Sequence, residues 1–285
     1  MKHNGILPFI ICLFFSINYE AIFAQSREDF VFDIKVDYTL RFKKDSLSHI
    51  VDQLNCELLI NNKQSLFRSE EKAQKDLARY QYLFDRSNFK GGAAISIAGQ
   101  FKPDYTIIKD SDSLFYFQGI NAGGANNMVH FYYSEPQNVL DWDLLTDTMT
   151  VMGYRCQKAV VDYGGRRWEA WFSTEIPISD GPYKFCGLPG LIVTIEDATS
   201  SWKFELTKFI RKESRIAFNF DEGVRYRRVT RTDFLKQAKS LLKNHWEIRT
   251  ASQNGTDVHL KGSQLQKKQI SEQVKRDNNW IELYP

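Results

Sequence analysis

Between Arg166 and Ser201 the chain has little conformational choice. Two strand-like runs, RRWEAWFS (166–173) and LIVTIED (191–197), flank a stretch holding Pro177, Pro182 and Pro189, three of the chain's seven prolines. Ile176 and Gly181 precede prolines and are pushed toward extended backbone. Asp180-Gly181 is a turn signal, and the Asp180 carboxylate can accept from nearby amides. Leu188-Pro189-Gly190-Leu191 fits a type II turn with Gly190 at positive φ. The result is a rigid loop between two strands, holding Tyr183, Phe185 and Leu188 as its apolar side chains.

The rest of the chain repeats the strand signal. In 30–42, Phe32, Ile34, Val36, Tyr38 and Leu40 alternate with polar residues, the period of a half-buried antiparallel strand. Further strands are expected at 50–60, 64–68, 104–110, 113–120 and 129–134, with an edge region at 148–162. Tyr163-Gly164-Gly165 is a hairpin turn leading into 166–173. There Trp168, Ala170 and Phe172 share one face, and Glu169 and Trp171 the other. A second hairpin joins 191–197 to 201–210 around Ala198-Thr199-Ser200. Two helices interrupt the pattern. One is a short surface helix over 69–83 with Ser69 as cap. The other, over 232–246 with Thr232 as cap, carries Phe234, Leu235, Ala238, Leu241, Leu242 and His245 along one stripe. These elements predict a mainly β protein: a curved antiparallel sheet or half-barrel with a C-terminal helix packed against it.

At the N-terminus, Lys2 and His3 precede an apolar run from Ile6 to Ile17, and Ala24 offers a small residue for cleavage. The run is shorter than the ~20 residues of a membrane span. Residues 1–24 therefore read as a signal peptide, 25–250 as one β-rich domain and 251–285 as a polar, loosely ordered extension. No later stretch is apolar enough to cross a membrane, so the mature chain is expected to carry no transmembrane span. A net charge of +3 is far from a nucleic-acid-binding signature. Export allows a disulfide. Of Cys56, Cys156 and Cys186, the last two lie in the central region and are the preferred pair; the alternative is three buried thiols.

The hexapeptide Gly187-Leu188-Pro189-Gly190-Leu191-Ile192 resembles the sextet that names the GLPGLI family of exported Bacteroidetes proteins. The likeness extends to Gly153-Tyr154-Arg155-Cys156-Gln157-Lys158-Ala159, to Ala170-Trp171-Phe172 and to Glu175–Pro182. The resemblance implies a β-rich protein of the periplasm or outer-membrane periphery, and it brings no catalytic residues. Some members resemble accessory proteins of TonB-dependent transport systems, which implies an outer-membrane transporter as partner. The order of hairpins and turns is also similar to lipoprotein-carrier half-barrels, at the level of fold only.

Chemistry leaves fewer traces. Cys186 has no Cys-His signature beside it, and His49, His130, His245 and His259 are scattered. No HxH, HExxH or paired CxxC occurs, and no phosphate-cradling loop, so neither a metal nor a cofactor is expected. Arg225, Arg227, Arg228 and Arg231 would suit an anion or a solvated strand edge. The aromatic positions Trp168, Phe172, Trp202 and Phe204, with Tyr183, Phe185 and Leu188 at the rim, fit either a filled core or a groove for an apolar ligand or peptide. The resulting expectation is a non-catalytic binding protein of the cell envelope. The alternatives are a transporter accessory, which would show an exposed sheet edge and no deep cavity, and a periplasmic enzyme, which would show a polar cleft.

Overall fold

The computed structural model describes residues 31–88, 104–121, 128–216, 226–251 and 278–283. The expected signal peptide lies outside them, as does most of the polar extension. Twelve strands form one large open curved sheet: β1 (Val31–Phe42), β2 (Asp52–Ile60), β3 (Ser65–Ser69), β4 (Tyr105–Lys109), β5 (Ser113–Asn121), β6 (Met128–Pro136), β7 (Asp143–Val151), β8 (Tyr154–Tyr163), β9 (Arg166–Ser173), β10 (Leu191–Asp197), β11 (Trp202–Arg215) and β12 (Tyr226–Arg228). Helix α1 (Glu70–Phe84) lies between β3 and β4, and α2 (Arg231–Ala251) follows β12.

The strand order is β12-β6-β5-β4-β3-β2-β1-β11-β10-β9-β8-β7. Two meanders, β2 to β6 and β7 to β11, are joined through β1, which pairs with β2 on one side and β11 on the other. Among the described residues, only β12 runs parallel to its neighbour. The chain therefore brings residues 160 or more positions apart into register, as in Phe42 opposite Trp202.

The turns follow from backbone chemistry. Gly164 and Gly165 have φ of 61° and 78° between the paired residues Tyr163 and Arg166, the geometry of a two-residue primed hairpin turn. Met152 and Gly153, at 52° and 84°, turn the chain between Val151 and Tyr154. This second turn divides the 148–162 edge region into β7 and β8. Helix α1 starts where its cap predicts, with Ser69 Oγ accepting from Lys72 N at 3.1 Å. The cap of α2 is Thr230, not Thr232. Its Oγ accepts from Asp233 N at 3.0 Å and donates to the Asp233 carboxylate at 2.8 Å, a reciprocal pair that Thr232 has no partner to make.

Two apolar cores result. The larger joins Val36, Tyr38, Leu40, Leu58, Phe67, Ile107, Trp168, Phe172, Ile195, Trp202 and Phe204 with Phe234, Leu235 and Ala238 of α2. The smaller joins Phe32, Leu59, Leu66, Ile108, Phe115 and Phe117, with Tyr80 of α1 against it. Phe32 thus leaves the face it was expected to share with Val36, beyond a register shift between Phe32 and Ile34. Arg68 pins α1 to the sheet, 2.9 Å from Glu57 and 3.0 Å from Asp76.

Candidate functional site

The loop between β9 and β10 covers part of the larger core, and its glycines decide its path. Gly190 is not at positive φ, so the type II turn is not formed there. Its glycine is required for a different reason. A Cβ at Gly190 would fall on the carbonyl oxygen of Ser173 and lie 2.9 Å from Thr174 N. The sextet's positive φ belongs to Gly187, at 92°. Gly181 also permits close approach, since a Cβ there would meet Ile192 Cδ1 at 2.7 Å. Backbone bonds from Leu191 N to Ile176 O and from Ile192 N to Asp180 O, both 3.0 Å, close the loop on itself. Lys109 of β4 ties it to the sheet. Its buried ammonium pairs with Asp180 and donates to Gly181 O at 2.7 Å.

Inside the loop, Tyr183 sits at φ 54°, an uncommon region for a bulky residue and a local strain. The next residue, Lys184, is only 2% exposed. Its ammonium donates to Tyr133 and Tyr163 hydroxyls at 2.9 Å each and pairs with Glu135 at 2.5 Å and Glu282 at 2.7 Å. Four tyrosine rings surround it, with centroids at 4.8 Å (Tyr133), 5.4 Å (Tyr116), 5.5 Å (Tyr163) and 5.7 Å (Tyr183). An ammonium desolvated among π faces gains from each of them. Arg231 completes the cluster, 2.6 Å from Glu282 and 3.4 Å from Glu135.

The cluster is balanced: two cations face two carboxylates. Burial opposes ionisation of Glu282, but Lys184, Arg231 and the Tyr183 hydroxyl outweigh it and hold its pKa below the ordinary value. Burial, followed by the Glu282 charge, pushes the Tyr116, Tyr133, Tyr163 and Tyr183 phenols well above their ordinary value, so they stay protonated donors. Beside the cage, a space of about 10 Å³ is lined by Leu114, Glu135, Leu140, Tyr163 and Lys184. It has room for about one water.

Glu282 arrives on a segment far along the chain. Residues 278–283 cross from the β1–β2 loop to the β8–β9 turn, with Asn279 N bonded to Lys44 O at 3.1 Å and Leu283 N to Gly164 O at 2.7 Å. Buried Arg166 grips it by donating to Asn279 Oδ1 and Trp280 O at 2.5 Å each and to Ile281 O at 3.1 Å. Asp197 holds that guanidinium at 2.8 Å. Trp202 Nε1 donates to Asn279 O at 3.1 Å, and Asn279 Nδ2 to Lys43 O at 2.7 Å. Loose order in the polar extension therefore does not describe these six residues.

All seven expected ligand-lining residues are buried: Trp168, Phe172, Phe185 and Phe204 at 0%, Leu188 and Trp202 at 1%, and Tyr183 at 2% exposure. They are core, not an open groove: Phe185 of the loop packs on Trp168, Phe42 and Asn279 cover Trp202, and Phe67 meets Phe204 edge-on. Trp171, on the opposite side of β9, is half-buried beside Lys158. The expected Cys156–Cys186 bridge is absent. Both are separate buried thiols, Cys156 on β8 and Cys186 in the loop. Burial raises the Cys186 thiol to about 11, with Lys109 lowering it and Asp180 raising it, which makes it a poor nucleophile. Among the described residues, no three His, Cys, Asp or Glu side chains gather as metal ligands.

Lys184, Glu282, Arg166 and Glu135 were not singled out from the sequence. Lys184 carried a usable signal: one charge between Tyr183 and Phe185 in an otherwise apolar run, which burial obliges to find partners. Arg231 was considered for an anion, and its anions are Glu282 and Glu135 of the same chain.

Against known proteins, the model of a family described as "Protein of unknown function (Porph_ging)" matches residues 165–194, from the β8–β9 turn into β10. The match falls on the segment that carries the GLPGLI resemblance. No curated protein matches. Among solved structures, PNGF-II in space group P21 is similar at 13% identity and a TM-score of 0.48, over 73% of this chain and 33% of that one. The chain thus spans about a third of PNGF-II. A LolA superfamily protein from Nitrosomonas europaea aligns at 10% identity and a TM-score of 0.27, over 72% of this chain and 98% of that one.

Proposed function

We propose that the protein is an exported, non-catalytic binding protein of the cell envelope that engages a protein partner and carries no apolar ligand within its sheet. The observation behind this is the filled face: the aromatic residues that would line a groove are buried in one core that also takes in Tyr183, Phe185 and Leu188 of the loop, Phe234 of α2 and Ile281. A partner has a different place to dock. Strand β7 ends the sheet, pairs only with β8 among the described residues, and exposes Leu144 and Met149, with Met152 following in the turn. Thr148–Val151 keeps regular register with β8 and leaves its other side open for an added strand. A partner at the outer membrane, such as a transporter, fits the family resemblance. Export rests on the apolar run Ile6–Ile17 and the small residue Ala24.

A photocrosslinking residue at Thr148, in protein expressed in its native envelope, tests the reading. A discrete protein adduct from Thr148, and none from Arg228 at the opposite sheet edge, is expected. No protein adduct, together with a retained lipid in native mass spectrometry of the extracted protein, would overturn it.

A further inference from the structure

Residues 278–283 make the contacts of a bound peptide. They belong to none of the twelve strands, yet Asn279, Ile281 and Glu282 are buried. Recognition is position by position. The Asn279 side chain both accepts, from Arg166, and donates, to Lys43 O, so an aliphatic residue there would lose both bonds. Arg166 reads main-chain carbonyls at the next two positions, which carries no side-chain preference. Ile281 enters the larger core. The Glu282 carboxylate meets two cations and a tyrosine hydroxyl, charge-assisted bonds that an uncharged side chain would not reproduce. Trp280 is only half-buried, with Lys239 over its ring.

We propose that this face is a recognition site for a linear peptide of another polypeptide that carries asparagine, an aliphatic residue two positions on and glutamate three positions on. In this structure the chain's own residues 279–282 occupy it. The own segment is then a competitor in cis. It belongs to the same chain, so its binding is intramolecular and a free peptide has to compete with it while the chain is intact. This site is separate from the β7 edge.

The test opens the tether without removing the segment. A site-specific protease sequence is inserted between residues 264 and 265 of the full chain, the chain is cut, and a labelled peptide of residues 276–285 is added. The cut protein is expected to keep its near-ultraviolet circular dichroism and to take up the labelled peptide saturably, at least tenfold more tightly than the uncut protein does. A peptide with Glu282→Gln is expected to bind at least tenfold more weakly, and one with Trp280→Ala within about threefold. Three results would each overturn the proposal: loss of tertiary signal on cutting, failure of the peptide to exchange, or equal binding of the Glu282→Gln peptide.

Discussion

The β9–β10 loop and the 278–283 segment lie over the same core, and they are held in different ways. The loop is built into the backbone. Gly190 lets it touch Ser173, Gly181 lets it touch Ile192, and its main-chain bonds close onto strand β10. The segment depends on side chains: Arg166, Trp202, Lys184 and Arg231 hold it, with two backbone bonds at its ends. Steric closeness is specified once, during folding. Ion pairs and side-chain hydrogen bonds are reversible, and each has an alternative partner in water.

The largest expected effect breaks the loop. Gly190→Ala places a methyl group on the Ser173 carbonyl, backbone against backbone, with no flexible side chain to yield. A loss of about 3 kcal/mol or more is expected in urea unfolding, and wild-type stability would remove the steric account of the sextet. Lys184→Met is expected to be of similar size. It leaves Glu135 and Glu282 facing Arg231 with one cation fewer, and breaking a buried pair from one side costs about 3–5 kcal/mol. The same unfolding curve measures it, and a neutral outcome would mean that the cage is not dry.

A pH titration sharpens the comparison on the segment's side. The Glu282 pKa is depressed when folded. Its contribution is therefore fully present above the ordinary value of 4.5 and is lost as pH falls through the folded value. Amide protection at Leu283 is expected to drop on acidification below pH 4.5, and Glu282→Gln is expected to flatten that dependence. The smallest effect is at Tyr105, whose buried hydroxyl, between Tyr116 and Tyr183, has no hydrogen-bond partner among the described residues. Tyr105→Phe removes a polar group that gains nothing, so stability should stay within about 0.5 kcal/mol of wild type or rise. A large loss would reveal a partner for that hydroxyl.

Much of the fold was legible in the sequence because local chemistry wrote it. The alternation of β1, the Gly164-Gly165 turn and the Ser69 cap need only neighbouring residues. Even the Gly190 turn was misread only in its reason, since a close approach and a positive φ both demand glycine and the sequence does not distinguish them. The aromatic face could be read as core or groove because alternation tells which side a residue faces and not what covers that side. Here part of the cover, residues 278–283, lies more than 70 positions beyond Trp202 and Phe204. The Lys184 cluster was illegible for the same reason. Glu135, Tyr163, Lys184, Arg231 and Glu282 share no spacing, and β6 and β8 stand near opposite ends of the strand order, so only the curvature of the sheet brings them together under the loop.

Native-state hydrogen exchange tests the central distinction most directly, because both regions carry reporter amides with comparable bonds. Leu191 and Ile192 report the loop, and Asn279 and Leu283 the segment. The account predicts that the first two exchange only through global unfolding, and that the second two exchange together through a local opening of clearly lower free energy. If all four amides share one opening free energy and one denaturant dependence, the segment is part of the cooperative fold and the account is contradicted.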